Sequence, residues 1–196
     1  MEVINSIQII PDQLVEECWQ WALSADLISG DYYKKERGQG NSASRQKQFM
    51  NGKIGEFAFY QYFLSIGIID ISKPELKARR PTWHDPDLIS ISKNMNFHVK
   101  TSSKIREGGR SWSFEKSNIL TTSPNDNDYL CFGSMLETNR IRIDTVTPAK
   151  FFVGQYKPSM IERLATKCCI YSKDFPELVA LDFSKEKIEL DEPLGF

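Results

Sequence analysis

Glu56 is an acidic side chain within the most apolar part of its predicted helix, in the stretch of residues 51–59. A carboxylate among apolar neighbours is costly unless it is paired, hydrogen-bonded or bound to a cation. The same stretch contains Gly52 and Gly55, and glycine is unfavourable inside a helix unless something approaches the backbone closely. Glu56 is therefore a candidate for cation binding, and the alternative is an ion pair with Lys53 on a narrow polar stripe.

Two more groups of titratable residues follow along the chain. The His-Asp-Pro-Asp segment 84–87 precedes a β-branched run, and an acid at the start of a strand can project into a cleft at the sheet edge. On the next strand, alternation places His98 and Lys100 on one face, and a turn near Asn94 lets that face lie beside Asp87. The alternatives are turn-and-cap chemistry for the first group and a solvated strand face for the second.

Periodicity predicts the elements that position these residues. Apolar residues three and four apart predict a helix from about residue 11 to Gly30, then a mobile basic loop over 31–42, then a helix from about Ser44 to Ser65. A hairpin is predicted with strands 88–91 and 97–101. Further strands are expected at 128–136, 140–147 and 168–171, with a short helix at 158–167. This order predicts one mixed α/β domain over residues 1–196.

Composition limits the class of protein. The chain has 196 residues, 40% apolar and 26% charged, which is typical of a soluble domain and excludes a disordered chain, a collagen and a coiled coil. Its apolar runs are too short to span a bilayer and its first residues lack the pattern of a signal peptide, so we expect a cytoplasmic protein with no membrane partner. Four cysteines without a CxxC pair indicate reduced thiols. Without a P-loop, no nucleotide cofactor is expected.

Charge is unevenly distributed along the chain. Residues 1–30 contain five acids and no Lys or Arg, and residues 174–196 contain seven acids against two lysines. Because the whole chain has a net charge of −1, the part between these ends is strongly basic. A basic centre favours a polyanionic partner, with an ordinary solvated surface as the alternative.

The order of the candidate residues resembles the PD-(D/E)XK nuclease superfamily. The matching residues are the Gly-x-x-Gly-Glu run 52–56, Pro86-Asp87 and the tripeptide that ends in Lys100. The resemblance covers residues 44–135, which it identifies as a catalytic core, and it implies a restriction-endonuclease-like fold with a mixed central β-sheet flanked by α-helices. The chain departs from the pattern at His98, where the family has Asp or Glu.

The resemblance implies a divalent cation, Mg²⁺ or Mn²⁺. Its ligands would be Asp87, His98 and the backbone carbonyl of Val99, with Glu56 binding directly or through water. Imidazole is a poor ligand for Mg²⁺, so His98 would shift the preference toward Mn²⁺. Alternatively, His98 is a general base. Lys100 would orient the attacking water and stabilise developing negative charge. The predicted catalytic residues are therefore Asp87, Lys100, Glu56 and His98.

Basic side chains around the site are predicted to contact phosphates, which would make binding salt-sensitive. Trp112 and Phe114 lie among these basic residues in the sequence. They are expected to be either core residues or platforms on which bases stack. The predicted nucleic-acid contacts are Lys34, Lys35, Arg37, Arg45, Lys47, Arg79, Arg80, Lys104, Arg106 and Arg110.

Together these features predict a metal-dependent endonuclease that acts on double-stranded DNA. A small chain with one site would most simply cut both strands as a homodimer, so sequence-specific cleavage of the restriction or homing type is expected. The alternatives are a catalytically inactive DNA-binding module of the same fold and a ribonuclease.

Overall fold

Two long helices and two β-sheets make up the described chain. The computed structural model describes residues 1–37, 40–78, 85–103, 109–160 and 167–178. The α-helices are α1 (Asp12–Arg37), α2 (Ser42–Ser65) and α3 (Ile119–Thr122), and short 3₁₀ helices occupy Ala149–Phe152 and Ser172–Asp174. The strands are β1 (Ser6–Ile9), β2 (Leu88–Ser90), β3 (Met95–Ser102), β4 (Ser111–Glu115), β5 (Asp128–Met135), β6 (Arg140–Pro148), β7 (Lys157–Pro158) and β8 (Lys167–Tyr171).

The central sheet is mixed. Its five strands follow the order β1-β6-β5-β3-β2, in which β3 and β5 are parallel and the other neighbours are antiparallel. A smaller antiparallel sheet has the order β4-β8-β7. This arrangement confirms the predicted mixed α/β class. No helix in the described part of the chain has an apolar stretch long enough to cross a membrane.

Each face of the central sheet has its own apolar cluster. Phe97 and Val99 of β3 pack with the apolar side chains of α1 and α2. On the opposite face, Phe132 of β5 packs with the smaller sheet, where the Trp112 ring stacks on it at a centroid distance of 4.5 Å. Trp112 is therefore a core residue. Because side chains alternate along β3, His98 faces away from the helices, toward the smaller sheet.

Helix α1 continues seven residues beyond its predicted end. The predicted loop over 31–42 is helical as far as Arg37, and Gly30 lies within the helix. A side chain at Gly30 would lie 3.1 Å from both the Arg45 guanidinium and the Asp26 carboxylate, so this glycine serves close packing. Asp26 accepts hydrogen bonds from Arg45 at 2.7 Å and from Gln46 at 3.1 Å, and these contacts hold the extension of α1 against α2.

Most of the predicted strands are confirmed. The hairpin pairs Leu88 with Phe97 and Ser90 with Met95, so its second strand begins two residues earlier than predicted. Strands β5, β6 and β8 also lie where they were expected. The predicted helix 158–167 is wrong at its two ends, which are strand residues, while 161–166 lie outside the described residues. Strands β1, β4 and β7 were not predicted.

Gly55 is where α2 approaches β3 most closely. A Cβ atom at Gly55 would lie 2.3 Å from the Thr101 Cγ2 atom, whereas one at Gly52 would meet nothing within 4 Å. We therefore expect Gly55→Ala to lower the free energy of unfolding by about 1–3 kcal/mol, because the helix must shift. Gly52→Ala should raise it by about 0.5–1 kcal/mol, because alanine favours the helix. Urea denaturation measures both changes.

The double variant Gly55→Ala/Thr101→Ser tests the cause. Serine lacks the Cγ2 methyl group that the new Cβ would meet, so it should restore much of the lost stability. Equal stability of the two single glycine variants would show that the close approach to Thr101 does not constrain α2.

Candidate active site

Within the described residues, β2 pairs only with residues 95–97 of β3, and no strand pairs with that edge beyond Phe97. We call this part of the strand the open edge of β3. Asp87 lies there: its backbone N–H donates to the Phe97 carbonyl at 2.9 Å, and its Oδ2 accepts a hydrogen bond from the Val99 N–H at 2.7 Å. Because the N–H and C=O of one strand residue point to the same edge, the Val99 carbonyl faces this side too.

Glu56 reaches the same region from helix α2. The helix is held on β3 by a hydrogen bond from the Thr101 hydroxyl to the Asn51 carbonyl at 3.4 Å. Glu56 Oε2 accepts a hydrogen bond from Lys53 Nζ at 2.5 Å, which is the contact that the sequence offered as the alternative. Lys53 is itself buried, and its ammonium lies 4.4 Å from the centre of the Trp21 ring. Trp21 is thus a neighbour of the site that the sequence prediction had not linked to it.

Charges from three elements act on Glu56. Burial raises the pKa of Glu56 to about 8, and the negative charge of Asp87 contributes in the same direction. Lys53 and Lys100 oppose this rise without overcoming it. Asp87 and Lys100 therefore each lie within electrostatic range of Glu56, although the three residues belong to a helix, to the residue before β2 and to β3.

His98 has a partner that was not predicted. Its Nε2 atom lies 3.3 Å from Oδ1 of Asp128, the first residue of β5, and both residues are buried. Burial lowers the pKa of His98, against the raising effects of Asp128 and Asp87. The register that pairs Asn96 with Asp128 is parallel, and no local pattern specifies such a pairing. Whether His98 acts as a ligand or as a base stays a prediction.

The predicted nucleic-acid contacts fall into three groups. Lys34, Lys35 and Lys47 are exposed on α1 and α2. Arg45 is buried against Asp26 and Arg110 is buried with its guanidinium on the Ser102 carbonyl at 3.2 Å, so neither is free to meet a phosphate without rearrangement. The remaining predictions, the Arg37 side chain, Arg79, Arg80, Lys104 and Arg106, lie outside the described residues.

The donor atoms at the open edge of β3 suit a hard divalent cation. Within the described residues, no three His, Cys, Asp or Glu side chains are grouped as a metal site formed by side chains alone requires. The edge instead offers the Asp87 carboxylate and the Val99 carbonyl, with Glu56 nearby. Mg²⁺ is commonly held by one or two carboxylates while keeping several waters. These residues therefore fit Mg²⁺ or Mn²⁺. The Nε2 atom of His98 contacts Asp128, so it is not among these donor atoms.

The raised pKa of Glu56 predicts a pH-dependent stability in EDTA. Between about pH 4.5 and about pH 8 the unfolded chain loses the Glu56 proton while the folded protein keeps it. Stability should therefore fall with rising pH in this window, by at most about 1.4 kcal/mol per pH unit from this group. Glu56→Gln removes the titration, so its stability relative to wild type should increase from pH 5 to pH 8, as measured by urea denaturation.

A matched control is Glu16→Gln, which removes an exposed carboxyl from α1. If its stability relative to wild type increased with pH in the same way, the effect would not be specific to Glu56.

Comparisons with protein-family models, curated proteins and solved structures give no significant match to this chain. Its function is therefore inferred from the chemistry of the site. The residues that bear on it are Glu56, Asp87, His98, Lys100 and Asp128.

Proposed function

We propose that this chain is a divalent-metal-dependent endonuclease that hydrolyses phosphodiester bonds in DNA. The observation that carries the proposal is that Asp87, anchored on the Val99 N–H at the open edge of β3, and Lys100 both act electrostatically on the Glu56 side chain. Two carboxylates beside a lysine suit a site that must bind a cation and a phosphate together. The chain order of these residues is also the basis of the resemblance to PD-(D/E)XK nucleases.

Each residue has a task that follows from its charge. A divalent cation held by Asp87, the Val99 carbonyl and Glu56 would neutralise phosphate charge and acidify a water molecule. Lys100 would donate hydrogen bonds to the oxygens on which negative charge develops in the transition state. Glu56 would orient the attacking water with the carboxylate oxygen that does not contact Lys53.

Exposed lysines near one end of the helix pair offer contacts to the DNA backbone. The Arg45–Asp26 ion pair joins the second half of α1 to the first turn of α2, and the Asn51–Thr101 hydrogen bond places the first half of α2 near the end of β3. The lysines therefore lie toward the end of β3 that carries Lys100, and they would bind phosphates away from the bond that is cut. Their contribution should weaken with salt. The lysines are Lys34, Lys35 and Lys47.

The test is cleavage of supercoiled plasmid and phage DNA by the purified chain with Mg²⁺, with Mn²⁺ or with EDTA. We expect nicked or linear products with either metal and none with EDTA. Asp87→Asn protein purified in parallel is the control for contaminating nucleases. Discrete fragments would show sequence specificity. Linear product without a nicked intermediate would support cleavage by a homodimer. Size-exclusion chromatography of the protein–DNA complex tests the oligomeric state independently.

Other outcomes separate the alternatives. Salt-sensitive DNA binding without cleavage by any metal would favour an inactive binding module of the same fold. Cleavage of RNA in preference to DNA would identify a ribonuclease. If the protein neither binds nor cleaves DNA or RNA, that result would contradict the proposed function.

A further inference from the structure

Asp128 is a buried carboxylate held only by neutral groups. It is 4% exposed, and its Oδ2 accepts hydrogen bonds from the backbone and side chain of Asn125 at 2.9 and 3.1 Å. Its Oδ1 contacts the Asn96 amide at 3.2 Å and His98 Nε2 at 3.3 Å. Among the described residues no Lys or Arg forms an ion pair with it. The hydrogen bonds from Asn125 and Asn96 thus fix the carboxylate that contacts the imidazole ring of His98.

The charge of Asp128 decides which ring nitrogen of His98 carries the proton. Burial alone would raise the pKa of Asp128, but the hydrogen bonds from Asn125, Asn96 and His98 outweigh it and lower the pKa. An ionised carboxylate can only accept hydrogen bonds, so Nε2 must be the donor. At pH 8, above the ordinary pKa of imidazole, a histidine ring carries one proton; with that proton on Nε2 against Asp128, Nδ1 is the nitrogen with the lone pair.

The His98 ring lies next to the proposed active site. Asp87 donates from its N–H to the Phe97 carbonyl and accepts from the Val99 N–H, so it contacts β3 at the two residues that flank His98. Alternation places His98 on the same face of β3 as Lys100, and the charges of Asp87 and Lys100 both act on the ring. Both candidate roles of His98, metal ligand and general base, require an unprotonated nitrogen.

We propose that Asp128 is a positioning residue that holds His98 in the Nε2–H tautomer, so that Nδ1 is the basic nitrogen offered to water or a cation at the site. The use of Nδ1 in catalysis rests on the proposed nuclease function, whereas the tautomer does not. The competing interpretation is structural: Asp128 would only close the turn at 125–128, with His98 as one more hydrogen-bond donor.

Nuclear magnetic resonance of the ¹⁵N-labelled protein tests the tautomer. The chain has only two histidines, and His98→Gln identifies the His98 signals in long-range ¹H–¹⁵N spectra. At pH 8 in EDTA, we expect a protonated Nε2 and an unprotonated Nδ1. Asp128→Asn can donate from its amide to Nε2, so it should reverse the tautomer and lower kcat by about 10- to 100-fold with little change in KM.

Asn125→Ala is the matched control, because it removes a side-chain hydrogen bond to the same carboxylate and leaves the bond to His98. It should keep the wild-type tautomer and kcat. Should Asp128→Asn fail to fold, the wild-type spectrum still tests the proposed tautomer. A ring protonated at Nδ1 in wild type, or a folded Asp128→Asn protein with unchanged tautomer and kcat, would overturn the proposal. A wild-type protein with the expected tautomer but no cleavage of nucleic acid would contradict only the nuclease function.

Discussion

Asp87→Asn and Lys100→Met should each reduce DNA cleavage by at least roughly 100- to 1,000-fold, with the fold retained. Removal of one group that stabilises transition-state charge has an effect of about this size, and Asp87 is also the principal proposed cation ligand. Both side chains are only half-buried, and asparagine can still accept the hydrogen bond from the Val99 N–H. Single-turnover cleavage with saturating Mg²⁺ or Mn²⁺ measures the loss.

Lys93→Met is the control for Lys100, because it removes an exposed lysine from the turn between β2 and β3. Its cleavage rate should stay within about twofold of wild type, since it removes only a solvated surface charge. Thermal unfolding and DNA affinity at several salt concentrations show whether the variants are folded and still bind. Full activity in both Asp87→Asn and Lys100→Met would contradict the assignment of the site.

Arg142→Met should lower the free energy of unfolding by about 3–5 kcal/mol, which is the usual cost of leaving a buried charge without its partner. The Arg142 guanidinium donates to Asp144 at 2.6 Å, and Ser134 donates to the other carboxylate oxygen at 2.6 Å. Asp144 is 1% exposed, so water cannot replace the lost cation without opening the space between the two sheets. Urea denaturation at pH 7 measures the change.

Two variants separate burial from charge. Arg140→Met removes an arginine two residues earlier, which contacts the exposed Glu137 at 3.0 Å, and should cost less than about 1 kcal/mol. The double variant Arg142→Met/Asp144→Asn should recover part of the loss, since no unpaired charge remains. If Arg142→Met cost no more than Arg140→Met, the buried pair would not be a main contributor to stability.

Local patterns in the sequence were sufficient for the elements that carry the candidate residues. Helix α2 and the hairpin of β2 and β3 follow from apolar spacing and turn residues only a few positions apart. The apolar neighbours of Glu56 also identified that carboxyl group as unusual. Burial among such neighbours is the main cause of its raised pKa. The helix glycines pointed to a close approach of the backbone, which occurs at Gly55 and not at Gly52.

Tertiary contacts decided the rest, because they join residues that are distant in the chain. Gly30 looked like a helix end and is instead the packing site for Arg45, whose burial against Asp26 removes it from the exposed cations. Asp128 meets His98 through a parallel strand pairing 30 residues apart, for which the sequence has no local signal. Residue types and their spacing in the sequence therefore identified which side chains have suitable chemistry and which elements carry them. The register between distant strands and helices determined which of them are buried, paired or brought together.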